Sequence, residues 1–219
     1  MKTAQIVLTG SSVSPKLAAL TEIQPQLVFA FADPFWFAGG NRLAPLQRAL
    51  APAPFIGCST AGEVAGERVQ ENTCVLTTVH FDDPDFTLVR THVRDMGDSR
   101  AAGERLAESL APAEPHSVLL FGPGVDINGS SLVAGLAAGL PPATTIAGGL
   151  AGDAGSFHTT WTIGPDGIHE REVIAVGFPF GIGPSVSAGV VSGLGREFKT
   201  PDGKRTLTQI GRASCRERV

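Results

Sequence analysis

Two kinds of hydrophobic pattern alternate along this chain, and together they predict its elements. Short apolar runs at Leu27–Ala32, Phe55–Ser59, Ser117–Phe121 and Thr144–Gly148 have the length of buried strands and are bounded by Pro, Gly or polar loops. Between the members of each pair lies a stretch that is apolar on one face only, at about Asn41–Leu50 and about Ser130–Leu140, as an amphipathic helix requires. Ser130 or Ser131 can cap the second helix, Gly139 stands near its end, and Pro141-Pro142 forbids continuation. The first helix stops before Pro52 and Pro54 in the same manner. Each half of the chain therefore contains a β-α-β unit.

After each unit the period falls to two. Thr73–Phe81, Phe86–Val93, Ser156–Ile163, Glu172–Phe178 and Val186–Val191 alternate and are rich in β-branched residues, and Asp-Pro and Pro-Asp-Gly turns separate them as in antiparallel hairpins. A helix at about Ser99–Leu110 joins the halves. The expected fold class is α/β: a mixed sheet or sheets with covering helices, built from two pseudo-repeated β-α-β-plus-hairpin halves. One continuous sheet and two stacked sheets both satisfy the pattern.

The halves resemble each other in sequence as well as in pattern. Leu27–Glu63 lies without a gap over Ser117–Asp153, at an offset that pairs Val28 with Val118, Phe31 with Phe121, Ile56 with Ile146 and Ala61-Gly62 with Ala151-Gly152. Two copies point to a duplicated half-domain, since a solenoid needs three or more. The 27 glycines concentrate at strand ends and loops, where positive φ or close backbone approach is needed.

Composition narrows the function classes. With 219 residues, 42% hydrophobic and 17% charged, the chain can bury an ordinary core in one or two domains. The net charge of −4 comes from scattered carboxylates, so the footprint expected of a nucleic-acid or anionic-membrane partner is missing. No apolar run approaches the roughly 20 residues of a membrane helix, and Ile6–Leu8 is too short for a signal sequence. The expected setting is cytoplasmic. Cys58, Cys74 and Cys215 contain no CxxC pair and fit reduced thiols better than a disulfide framework or zinc site. The last residues, GRASCRERV from Gly211, have no apolar periodicity and read as translated adapter sequence. The expected organisation is one domain over residues 1–195, then a truncated continuation and non-native tail over 196–219.

IGCSTAGE (Ile56–Glu63), DINGSSLVAGL (Asp126–Leu136), IAGGLAGD (Ile146–Asp153), Phe157–Trp161 and VIAVGF (Val173–Phe178), in this order, resemble a FIST N domain, the family named for F-box and intracellular signal transduction proteins. The resemblance implies a sensory input domain that binds a small ligand such as an amino acid and is coupled to a signalling output module. Family chains normally continue into a C-terminal FIST domain, which is the expected partner. Some members are reported as haem-binding nitric-oxide sensors, so haem is the alternative ligand.

The residues themselves suggest where a ligand would sit. Cys58, Ser59, Thr60 and Gly62 leave a strand as a run of small residues able to present N–H groups and hydroxyls to a carboxylate, and Gly148 and Gly149 offer the same in the second half. The expected site lies between these two Gly-rich loops. Glu63 and Asp153 occupy aligned positions and can accept from a ligand ammonium or hold a turn. Asp126 and Asn128 lead into the second helix, where an Asn caps more often than it contacts ligand. Neither loop is a P-loop or a GxGxxG fingerprint, which disfavours nucleotides. Catalysis would need Cys58 as nucleophile with His80 as its nearest base in sequence, against the commoner reading of a small buried residue. Among the five histidines, His158 beside Phe157 and Trp161 is the best-placed axial ligand if haem binds. Of Phe35, Trp36 and Phe37, at least two are expected to pack over the sheet end.

Overall fold

The structure is a computed structural model that describes residues 1–10, 17–39, 42–179, 197–199 and 206–208. The predicted strand Val186–Val191, the helix start at Asn41 and the tail from Gly211 lie outside these residues. In the first half, strand β1 (Lys2–Thr9), helix α1 (Leu17–Glu22), β2 (Leu27–Ala32), α2 (Ala44–Ala49) and β3 (Phe55–Ser59) are followed by the hairpin β4 (Glu63–Ala65) and β5 (Arg68–Gln70), and then β6 (Thr73–His80). Next come β7 (Thr87–His92), α3 (Ser99–Leu110), β8 (Ser117–Gly122), α4 (Gly129–Ala138), β9 (Thr145–Leu150), the hairpin β10 (Thr162–Gly164) and β11 (Gly167–His169), and β12 (Glu172–Phe178). Two short strands, β13 (Glu197–Lys199) and β14 (Thr206–Thr208), pair with each other.

The chain builds two principal sheets. The first has the order β1-β6-β2-β3-β10-β11 and the second β7-β12-β8-β9. In each, the two strands of a β-α-β unit are parallel, β2 with β3 and β8 with β9, and an antiparallel strand, β6 or β12, covers the other side of the unit's first strand. The sheets face each other across a core of Leu27, Phe29, Ile56 and Cys58 on one side and Leu119, Phe121, Ile174 and Val176 on the other. Phe121 stands edge-on to Phe29 and Phe31 there. Leu20, Leu43 and Leu46 bury the outer face of the first sheet, and Leu106, Leu110, Leu132 and Leu136 that of the second. The layers therefore run helix, sheet, sheet, helix, which settles the sheet question in favour of stacking.

β-Strands that are buried on both faces read as continuous apolar runs, and β2 and β3 do so because helices cover one side and the second sheet the other. Helices α3 and α4 cross with their backbones nearly touching: a Cβ on Gly103 would lie 2.1 Å from the Leu132 carbonyl oxygen, and one on Gly135 2.1 Å from that of Arg100. Only glycine permits this approach. Among the described residues no helix is long and apolar enough to cross a membrane.

Two expectations require correction. The gapless alignment sets Gly57 against Ala147, but Gly57 and Gly148 are the residues that share a φ near +145° and press against a carbonyl of the neighbouring strand, Ala30 and Leu120 respectively. The second half is thus displaced by one residue at its second strand, and Glu63 and Asp153 are not counterparts: Glu63 opens β4, whereas Asp153 lies in a loop. Likewise, only the end of Ser156–Ile163 is a strand. Ala154, Gly155 and Phe157 have positive φ, and the Asp153 carboxylate gathers the backbone N–H groups that a strand would have given to a neighbour.

Candidate functional site

The two Gly-rich loops meet, and they are joined directly. Ser59 accepts the Gly152 N–H on its carbonyl at 2.8 Å, donates its own N–H to Trp161 O at 2.8 Å, and accepts the Trp161 N–H on Oγ at 3.0 Å. A Cβ on Gly152 would stand 2.9 Å from the Ala61 nitrogen, so the loops leave no gap between their backbones at this point. Thr60 N–H continues the ladder to Ala32 O, as Ala151 N–H does to Gly122 O.

The polar side chains of these loops are engaged by the protein itself. Glu63 is buried, and its carboxylate accepts from Thr60 Oγ1 at 2.5 Å, Thr73 Oγ1 at 2.7 Å and Thr73 N at 3.1 Å. Burial raises its pKa above the usual range despite these donors. Asp153 is also buried; desolvation raises its pKa, but the backbone N–H groups of Phe157, His158, Thr159 and Ser156 outweigh it and hold the carboxyl below its usual range. It organises the loop from 154 to 161. Cys58 is fully buried between the sheets, and desolvation pushes its thiol up to about 12, which disfavours the thiolate at neutral pH. His80 points elsewhere, with Nδ1 2.9 Å from Gln24 O. Gly148 and Gly149 lie on β9 at the far edge of the second sheet.

An open cleft of about 60 Å³ lies beside these loops, at the carboxyl end of β8. Val93, Pro123 and Val125 form its apolar wall, and Asp126, His158, Thr159, Glu170 and Arg171 supply the polar groups. Crevices at the carboxyl ends of parallel strands are where ligands bind in α/β sheets. Asp126 adopts φ +54° in the loop from β8 to α4, and its Oδ2 accepts from Arg171 at 3.1 Å. The same guanidinium donates to Arg94 O at 2.6 Å. Both side chains of the pair are about half or more exposed, 49% for Arg171 and 67% for Asp126. Asn128 does not line the cleft; it caps α4, accepting from Ser131 N at 3.0 Å, while its N–H donates to Ser99 Oγ.

The structure thus brings Asp126 and His158 together and leaves Cys58, Ser59, Thr60, Glu63 and Asp153 as buried supports of the adjoining loops. Glu170 and Arg171 were not singled out in the sequence, because a charged pair before a strand reads as an exposed turn. Haem does not fit this cleft. Its volume is far below the roughly 300–1,000 Å³ of pockets for drug-sized ligands, and two carboxylates and a guanidinium line it around His158. Of the three aromatics in the loop after β2, Trp36 and Phe37 pack inward, with Phe37 stacked on Trp161, and Phe35 remains 47% exposed beneath the Arg42 guanidinium.

A search of curated proteins returns no match. Residues 26–198 match the FIST N domain, a span that takes in both principal sheets from β2 onward and every loop around the cleft. The chain therefore belongs to the FIST N domain family, a family of sensory domains in signal transduction.

Proposed function

We propose that this domain is the ligand-sensing input of a signalling protein, and that its ligand is a small zwitterion of the amino-acid type held in the cleft between Asp126 and Arg171. The observation that carries this reading is the charge layout: one guanidinium and two carboxylates, Asp126 and Glu170, around a space of about 60 Å³ with an apolar wall. A ligand carboxylate takes the place of Asp126 on the Arg171 guanidinium, whose planar fork suits bidentate binding. The ligand ammonium then takes up Asp126 and Glu170, and the side chain points out of the cleft. Occupancy passes to an output module or a C-terminal FIST domain. Arg171 also holds Arg94 O just before α3, and Asp126 lies two residues ahead of the α4 cap, so exchanging partners at Arg171 loads the starts of both helices. Such a ligand acts through its differential affinity for the two arrangements. A reducing setting is supported by Cys58 and Cys74, which are both unpaired.

Calorimetric titration with each amino acid tests the proposal. One or a few are expected to bind, and Arg171→Ala is expected to abolish the heat without lowering the melting temperature by more than a few degrees. Absence of heat from every amino acid rejects the reading.

A further inference from the structure

His169, Glu170, Arg171 and Glu172 follow one another where β11 passes into β12, and three of the four are held by partners. Glu172 accepts Arg90 Nη1 on both carboxylate oxygens at 2.7 Å. Arg90 Nη2 reaches Asp166 Oδ2 at 2.9 Å, and His169 Nε2 lies 3.1 Å from Oδ1 of the same carboxylate. Arg171 donates to Asp126 and to Arg94 O. Glu170 is the exception: it is exposed, it lines the cleft, and among the described residues no hydrogen bond or ion pair engages it. The guanidinium of Arg94 is already on Asp98, at 2.8 Å.

Unpaired carboxylates are ordinary on a protein surface. What distinguishes Glu170 is the charge of the space it lines. With histidine neutral, Asp126, Glu170 and Arg171 give the cleft one net negative charge. A simple zwitterion leaves that excess in place: its carboxylate neutralises Arg171, but its single ammonium cannot neutralise both Asp126 and Glu170. A ligand with one more positive charge does. Its side chain leaves the cleft by the mouth, where the exposed Glu170 is available to a second cation. An anionic side chain meets the same carboxylate as a like charge and is disfavoured.

On the reading of the cleft as an amino-acid site, we propose that Glu170 makes it selective for amino acids with a cationic side chain, the lysine and arginine class, against neutral and acidic ones. Because Glu170 is exposed, the gain is that of a solvated ion pair. It amounts to about two- to five-fold in affinity over an uncharged side chain of similar length, and it shrinks as salt rises.

Calorimetric titration of the full chain with lysine, norleucine and glutamate, at low and at high salt, tests this. Norleucine has the lysine carbon chain without its ammonium, so the comparison isolates the second cation. Lysine is expected to bind about two- to five-fold more tightly than norleucine at low salt, with the ratio falling toward one at high salt, and glutamate to bind most weakly. Glu170→Gln is expected to weaken lysine more than norleucine and so abolish the preference, at an unchanged melting temperature. Lysine binding no tighter than norleucine overturns the proposal, as does a Glu170→Gln variant that keeps the wild-type ratio. Either of these results leaves the amino-acid reading of the cleft standing, whereas absence of heat from every amino acid removes that reading and the selectivity together.

Discussion

Gly135→Ala places a methyl group where α3 leaves no room. The new Cβ would stand 2.1 Å from the Arg100 carbonyl oxygen, 3.0 Å from its carbon and 3.2 Å from the Glu104 nitrogen. These are backbone atoms, so no side chain can rotate away. Reaching an acceptable carbon–oxygen contact of about 3.3 Å requires the helices to separate by roughly 1 Å. A gap of that size forfeits about a quarter to a half of each contact it opens, and the contacts opened include those of Ala102, Leu106, Ala107, Leu132 and Leu136, all buried. The gross penalty is about 3–4 kcal/mol by comparison with overpacked cores. Alanine returns about 1 kcal/mol through its higher helix propensity, which leaves a net loss of about 2–3 kcal/mol. Gly103→Ala, whose Cβ would lie 2.1 Å from Leu132 O, meets the same interface from the other side and should cost a similar amount. Because the first substitution already parts the helices, the double variant should lose less than the sum of the two by about 1 kcal/mol or more. Equilibrium urea unfolding of the wild type, both single variants and the double variant measures all four quantities. A single variant at least as stable as the wild type refutes the close crossing, and strict additivity refutes the claim that both glycines serve one contact.

Three further outcomes follow from the electrostatics. Burial raises the Glu63 pKa in the folded state, so the stability linked to its protonated form is complete below the unfolded pKa near about 4.3 and is lost as pH rises through the folded value. Glu63→Gln should flatten that decline in thermal melts taken from acid to neutral pH, and parallel curves for the two proteins would reject the assignment. Hydrogen bonds from Arg105 and Arg94 hold Asp98 well below the usual carboxylate range, so its contribution is present above the unfolded pKa near about 3.9 and is lost as pH falls toward the folded value. Asp98→Asn should therefore destabilise at neutral pH and lose less on acidification than the wild type; an equal acid loss in denaturant titrations would contradict this. Cys58, with its thiol pushed up to about 12, should resist a thiol reagent at neutral pH until the protein unfolds, and prompt labelling of Cys58 itself in native buffer, located by peptide mapping, would show that the inter-sheet core is open.

How far these features could be read from the sequence depended on whether a local pattern or a distant partner decides them. Helix α3 falls on Ser99–Leu110 as expected, because its buried residues Ala102, Leu106 and Leu110 recur at the helical period. Strands β2, β3 and β8 were equally legible from their length and their turns. By contrast, β1 is a full strand from Lys2 to Thr9 that shows only a short apolar run at Ile6–Leu8, since one of its faces is largely exposed and its ladder is set by β6, far along the chain. The loop after Asp153 looked like a strand because its residues alternate, but Ala154, Gly155 and Phe157 take positive φ, and Asp153 holds the His158 N–H on its carboxylate and the Ser156 N–H on its carbonyl, which turns the chain aside. The ends of the two Gly-rich segments adjoin at Ser59 and Gly152, but small residues after a strand suit close backbone contact as well as ligand contact. Here Gly152 is placed against Ser59 and Ala61. What makes the adjoining cleft a candidate is Arg171, far along the chain from Asp126 and fixed against it because β12 pairs with both β7 and β8. Sequence neighbours gave Arg171 no significance; the sheet order does. It follows that substitutions altering β12 pairing, at Ile174 or Val176, should disturb the cleft charges more than those altering the conspicuous glycines of β9, which face the opposite edge.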